Sequence, residues 1–496
     1  MFSGPAADVR SRLCPYLDTI NRGVLDFDFE KLCSVSLSQI NCYACLVCGK
    51  YFQGRGIGTH AYMHSVSVGH HVFLNLDSLR FYCLPDNYQI MDSSLDDITY
   101  VLNPTFTTQD IAALDTGAHR PSIAFDGTAY LAGIVGLNNI KFNDYCNVVL
   151  QSLSHVPPLR NYFLREDNYR HHIRRRKSGS DYSALLVQRF GQLLRKLWNG
   201  SNFKAHVSPH EMLQSVVLSS HKKFQIIEQG DPIAFLSWIL NTLHLALKEG
   251  KSKKRVATGG VAGMGATDKT AVAADKQSSI IYDTFRGKMK TYSRKMIPMD
   301  KTIDERLQLM LSEEYKETCE ENPFLYLTLD LPPQPLFRDE LTDNIIPQVP
   351  LFTILAKFNG QTEREYRTYK DSAMRRFELT VLPKYLILYI KRFTRNTFFV
   401  EKNPTIVNFP LKNVDLAELL APDARQTNKC VYDLIANVVH EGDPEAGKGT
   451  YRCHVLHRGT GKWFELQDLH VSEILPQMIT LSESYIQIWE QKESID

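Results

Sequence analysis

The chain has no apolar run able to cross a bilayer, no excess of either charge, and no even spread of cysteines. Its longest apolar stretch, Ile233 to Leu247, is broken by Ser237, Asn241, Thr242 and His244. A span needs about 20 consecutive, mostly apolar residues, so this reads as a buried helix and no membrane association is expected. The N-terminus lacks an apolar core followed by a small-residue cleavage site, so no export signal is expected. Lys and Arg (57) nearly balance Asp and Glu (55), and the net charge of +2 excludes a strong general attraction to nucleic acid or anionic lipid. Charge can act only locally. Internal repeats are also missing. The ten cysteines are clustered, with Cys14, Cys33, Cys42, Cys45, Cys48 and Cys83 near the start and Cys146, Cys319, Cys430 and Cys453 scattered beyond. A secreted disulfide framework would distribute pairs through the chain. Clustering beside histidines points to metal and a reducing compartment.

What is present is the composition of a globular protein, 43% hydrophobic and 23% charged over 496 residues, enough for two to three domains. Composition divides it into a Cys/His-rich region at 12–102, a Pro/Gly-punctuated connector at 103–132, and a mixed region at 133–491. Helical periods run over Tyr182–Leu197 and Ile233–Leu247. Strands are expected at Phe324–Leu331, Val349–Phe358, Tyr385–Phe393, Tyr432–Val439, Tyr451–Leu456, Trp463–Leu466 and Tyr485–Trp489. Helices first and strands later, without regular alternation, predict an α+β fold. Residues 248–279, rich in Gly, Ala, Lys and Thr, predict a disordered insertion. Within it Lys251-Ser252-Lys253-Lys254-Arg255 is either a nuclear-import patch or a solvated loop. A second basic run, Arg170 to Lys177, could meet RNA phosphates or an acidic protein face.

Cys45-Leu46-Val47-Cys48 is a Cys-x-x-Cys knuckle followed by His60, His64, His70 and His71. Two thiolates and two imidazoles make the tetrahedral set that Zn²⁺ prefers. With its glycine-rich turn (Gly54, Gly56, Gly58) and His60-Ala61-x-x-His64, the segment resembles the zinc finger of ubiquitin proteases. That resemblance implies Cys45, Cys48, His64 and His70 as ligands of a structural zinc, with His60 and His71 as competitors. Cys14, Cys33, Cys42 and Cys83 lack matched pairs and read as buried thiols. Several such fingers grip a free ubiquitin carboxyl terminus through an arginine and an aromatic lid. The segment after Cys48, Gly49 to Arg55, does not clearly supply that pair, so ubiquitin binding here is not expected.

The segment Gly136-Leu137-Asn138 through Asn143-Asp144-Tyr145-Cys146-Asn147 to Leu150-Gln151 resembles the cysteine box of the ubiquitin-specific proteases. Gln229-Gly230-Asp231-Pro232, Leu382-Pro383 through Lys391-Arg392-Phe393, Asn408-Phe409-Pro410 and Trp463-Phe464-Glu465-Leu466 follow in that family's order. The resemblance implies a papain-like thumb, palm and fingers domain behind a small α/β zinc finger. It also places Asp144, Thr450 and Gln467 where the family has its nucleophile, base and orienting residue. A thiol protease needs all three roles filled. Cys146 lies about 200° around the helix from Asp144 and is expected to face the interior. His454 stands about 13 Å along a strand from Thr450, and His440 and His457 have no evident claim on the site. Asp144 itself is expected to cap the helix. The finger-like segment around Phe285 and Phe324–Leu331 lacks the paired cysteines that often hold a second zinc in this family.

Among these proteases the chain resembles the catalytically inactive splicing-factor branch of the U4/U6.U5 tri-snRNP. That implies a nuclear, non-catalytic scaffold in pre-mRNA splicing with tri-snRNP proteins, and snRNA near its basic loops, as partners. The rival expectations are a ubiquitin receptor without hydrolysis and an active deubiquitinating thiol hydrolase.

Overall fold

The computed structural model describes residues 10–493 except 12–13, 117–120, 176–181, 249–277, 297–301, 303–311, 313–314, 334–345, 368–371, 396–398, 426–428 and 446. The expected insertion, with its Lys251–Arg255 patch, falls outside the described residues apart from its edges, as do Arg176 and Lys177 of the second basic run.

The N-terminal region is one sheet of short strands, the last five being Cys42–Cys45, Tyr51–Gln53, Val72–Asn75, Phe81–Cys83 and Tyr88–Ile90. The knuckle turns at Gly49, whose φ of +75° and whose approach to the Val24 carbonyl leave no room for a side chain. Helix His60–Val68 lays Ala61 and Ser65 against this sheet and ends at Gly69 in the left-handed region, the Gly69 N–H returning to the Ser65 carbonyl. Cys14, Cys33, Cys42 and Cys83 are buried in the core beneath.

The stretch between the two compositional regions is built into the larger core. Helix Thr108–Ala113 begins with a capping box made by Thr107 and Asp110, and Ile111, Leu114, Ala124 and Tyr130 pack into the main cluster.

The mixed region opens with helices Asp144–Ser154, Pro157–Leu164, Ser183–Leu197, His210–Ser219 and Pro232–Leu247; the first lies against an eight-stranded sheet and the others pack on that helix or on one another. Its central strands Tyr385–Lys391, Ser484–Gln491, Val431–Gly442, Gly449–His457 and Lys462–Gln467 are antiparallel neighbours. A separate four-stranded sheet carries Gly287–Lys295, Thr318–Phe324, Arg364–Arg367 and Ser372–Val381. The α+β expectation holds.

Two strand expectations need correction. Over Val349–Phe358 the strand stops at Pro350; helix Leu351–Leu355 and a 3₁₀ turn follow. The buried residues there, Leu351, Ile354, Leu355 and Phe358, are spaced three and four apart, which is helical and not strand periodicity. Phe324–Leu331 is likewise two strands, Thr318–Phe324 and Leu327–Asp330, bent at Leu325–Tyr326 into different sheets. No helix among the described residues is long and apolar enough to cross a membrane.

Candidate functional site

Two places carry chemistry. The first is the knuckle. The strand Cys42–Cys45 delivers Cys45, the turn delivers Cys48, the helix delivers His64, and the segment beyond Gly69 delivers His70. Cys45 Sγ lies 3.5 Å from His70 Nδ1, Cys48 Sγ 3.5 Å from His64 Nε2, and the two ring nitrogens are 3.1 Å apart. All four donor atoms fall within 4.8 Å of one another, an arrangement that could hold a metal ion. Burial pushes the Cys45 thiol up to about 12 and the His64 imidazole down, each toward its neutral form. The competing histidines do not join. His71 Nδ1 sits 2.7 Å from the Leu84 carbonyl and its ring lies on Tyr16, and His60 starts the helix.

The same sheet makes a contact that sequence reading missed. The Arg55 guanidinium lies 4.1 Å over the Tyr82 ring and donates to Asn87 Oδ1 at 2.6 Å. An arginine and an aromatic ring are therefore brought together, although they lie 27 residues apart in the chain.

The second place is the start of helix Asp144–Ser154. Asp144 is almost fully buried, and its carboxylate accepts three hydrogen bonds: Tyr145 N at 2.9 Å, Gln229 Nε2 at 2.6 Å and Tyr451 N at 3.1 Å. Burial raises its pKa, while the three donors oppose the shift. Asp144 is not the expected helix cap: Asn143 holds the N-cap position, without a side-chain cap bond, and Asp144 is the first helical residue. One oxygen serves a helix N–H; the other is committed to a neighbouring loop and strand. Gln229 extends the connection, donating also to the Gly449 carbonyl at 2.9 Å and accepting from Gly447 N at 2.7 Å. One side chain thus joins the box helix, the loop before helix Pro232–Leu247 and the hairpin that carries Thr450.

Thr450 is exposed beside this junction, and Gln467 ends the strand Lys462–Gln467. Asp468, next in line, is committed elsewhere, accepting from Asn139 Nδ2 at 2.9 Å and Asn147 Nδ2 at 2.8 Å. Cys146 is buried in the main core, and burial pushes its thiol up. His454 lies on Glu465 Oε2 at 3.0 Å. His440 comes nearer than its place in the sequence suggests, pairing in register with Tyr451 while Glu441 pairs with Thr450. Its ring packs against Phe393 and Tyr451, and burial lowers its pKa to about 4. A thiolate would need a base within hydrogen-bond reach, and no described contact joins Cys146 to any of these histidines.

Residues 135–489 match the family model "Ubiquitin carboxyl-terminal hydrolase", and residues 33–95 match "Zn-finger in ubiquitin-hydrolases and other protein". Ubiquitin carboxyl-terminal hydrolase 39 of Homo sapiens is 62% identical over 98% of this chain and 81% of its own length. The probable mRNA-splicing protein ubp10 of Schizosaccharomyces pombe is 44% identical over 96% of this chain and 88% of its own. Among solved structures, one described as an essential yeast splicing factor superposes with a TM-score of 0.69 at 28% identity, covering 96% of this chain and all of the other. The chain belongs to the ubiquitin carboxyl-terminal hydrolase family and carries that family's zinc-finger module ahead of its hydrolase-like domain.

Proposed function

We propose that this protein works in pre-mRNA splicing as a nuclear, non-catalytic scaffold that supports assembly or stability of the U4/U6.U5 tri-snRNP. The observation that carries the reading is the occupied junction at Asp144. The position aligned with a nucleophile holds a buried carboxylate with three donors, and Thr450 and Gln467 can neither accept nor orient a proton there. Relatives named for splicing support the biological setting. Residues 12–102 would form the zinc module and 133–491 the hydrolase-like body, with spliceosomal proteins as partners and snRNA near the basic loops.

In this reading Cys45, Cys48, His64 and His70 hold a structural zinc. A tetrahedral site with zinc–sulfur bonds of about 2.3 Å and zinc–nitrogen bonds of about 2.0 Å has edges of about 3.3–3.8 Å. The sulfur–nitrogen distances of 3.5 Å fall in that range, and the 3.1 Å nitrogen separation lies just below it. Zinc would supply the charge that keeps the buried Cys45 thiolate ionised.

Affinity purification of the tagged protein from nuclear extract tests the scaffold role. U4, U5 and U6 RNAs and their proteins should co-purify, and their absence sinks the proposal. A covalent adduct with a thiol-reactive ubiquitin probe, lost on Cys146→Ser, would overturn the non-catalytic assignment. A second reading, capture of a free ubiquitin carboxyl terminus, draws on Arg55 over Tyr82; saturable ubiquitin binding abolished by Arg55→Ala would favour it.

A further inference from the structure

A groove of about 750 Å³ opens where the start of helix Pro157–Leu164 faces the ends of strands Tyr385–Lys391 and Ser484–Gln491. It shares no lining residue with the metal cluster or the Asp144 junction, and its size is that of a ligand site, typically about 300–1,000 Å³.

The charges inside it are unequally used. Arg458 is held by Glu490, which also takes the Tyr385 hydroxyl. Lys492 lies 3.5 Å from Asp433 and donates to Asn413 Oδ1 at 2.7 Å. Lys384 and Lys429 line the groove and are exposed, and among the described residues neither enters an ion pair. Glu493, also in the lining, likewise enters no ion pair among the described residues. The two lysines are not on loose segments. Gln491 N donates to the Lys384 carbonyl at 2.8 Å, and Gln491 Nε2 donates to the Lys429 carbonyl at 2.7 Å, so one residue fixes both backbones. Opposite them the helix begins with Pro157 and Pro158, which line the groove and carry no N–H.

We infer that this groove docks an extended acidic segment of a partner protein, whose carboxylates settle on Lys384 and Lys429. Charge complementarity selects that occupant. Asp433, Glu490 and Glu493 in the same wall oppose a continuous phosphate backbone, whereas a polypeptide can space its carboxylates to avoid them. The two prolines offer that polypeptide a rigid face with no competing N–H.

The test uses the full chain and a fluorescein-labelled Glu-Ala-Glu-Gly-Glu-Ala-Glu-Gly peptide, followed by anisotropy. Binding should weaken about tenfold in the Lys384→Glu/Lys429→Glu double variant and survive within about threefold when both become arginine. Carbodiimide coupling on the unaltered chain reads the same contact without mutation. Peptide carboxylates should form amides with Lys384 and Lys429 ahead of other lysines. Absent binding, equal binding by the charge-reversed variant, coupling elsewhere, or displacement of the peptide by lower concentrations of an oligouridine of equal charge would each overturn the inference.

Discussion

Replacing Gln229 with alanine should unfasten the junction at Asp144, and the cost can be worked from its three hydrogen bonds. The bond to the Asp144 carboxylate, at 2.6 Å, is charge-assisted and contributes about 1.5–3 kcal/mol. Those linking it to Gly449 and Gly447 are neutral and add about 0.5–1.5 kcal/mol each. Gln229 is half-buried and Gly447 exposed, so water recovers part of the loss and a net destabilisation of about 2–4 kcal/mol is expected. The effect should depend on pH. Burial already raises the Asp144 pKa above its unfolded value, so its folded-state stability is full below the unfolded carboxylate value and declines as pH rises through the folded one. Removing a donor raises that pKa further, so Gln229→Ala should cost more at pH 8 than at pH 5, and Gln229→Glu more still. Urea unfolding at both pH values measures the cost. Hydrogen exchange at the Gly447, Gly449 and Tyr451 amides reports whether the hairpin has loosened. A change below about 0.5 kcal/mol with unchanged exchange would refute the claim that Gln229 holds these elements together.

Arg376 should do comparable work in the four-stranded sheet. It pairs with Glu317 at 2.7 Å, donates to the Gly360 carbonyl at 2.9 Å and lies 3.7 Å over Tyr292, whose hydroxyl reaches Glu378. Arg376→Ala should cost about 1–2 kcal/mol and speed exchange along Gly287–Lys295, and lysine should not rescue it because it lacks the planar fork; unchanged exchange would contradict this. Burial lowers His155 to about 3 and His440 to about 4, so the unfolded chain binds protons that the folded one refuses. Stability should be full above about pH 6.5 and fall toward pH 4 by up to about 2.7 kcal/mol per unit for the pair, less in His440→Gln; a flat profile between pH 6.5 and 5 would count against it. Elemental analysis should find one zinc per chain, lost with Cys48→Ser or strong chelation. The N-terminal sheet should then exchange fast while the core around Asp144–Ser154 keeps its protection; full metal content in that variant would refute the ligand assignment.

The sequence disclosed most where chemistry is local. The Tyr182–Leu197 and Ile233–Leu247 periods became helices Ser183–Leu197 and Pro232–Leu247, and the alternating C-terminal runs became neighbouring strands. Val349–Phe358 misled because its β-branched and aromatic residues favour a strand by type while its spacing favours a helix, and burial followed the spacing. In the site, the Cys-x-x-Cys knuckle was legible, but choosing between His70 and His71 depends on Leu84 and Tyr16, which only the fold brings near. Gln229 was visible as the first residue of a family box. Nothing local could show that its amide meets Asp144, 85 residues away, and Gly449, 220 residues away. Arg376 and the Arg55–Tyr82 pair were hidden for the same reason.

The junctions found here bear on what a scaffold requires. The box helix packs against the hairpin that carries Thr450. In this protein Gln229 and Asp144 tie them together, and Asp468, in the turn after strand Lys462–Gln467, separately holds Asn139 and Asn147 of the box segment. The N-terminal module is held to the body in a similar way. Lys196 meets Asp28 at 2.7 Å and the Phe27 carbonyl at 3.0 Å, Lys204 meets Asp26 at 2.6 Å, and Phe203 enters the module's own core. Lys196 and Asp28 are only 12% and 16% exposed, so breaking one partner would strand a nearly buried charge. A partner that binds several faces of such a body need not supply the entropy of ordering them, and the affinity of each contact is correspondingly greater. On the proposed scaffold role, rigidity at the Asp144 junction has a use of its own. It is the property on which multi-point docking depends, and loosening the Gln229 junction should weaken assembly even where no partner touches it.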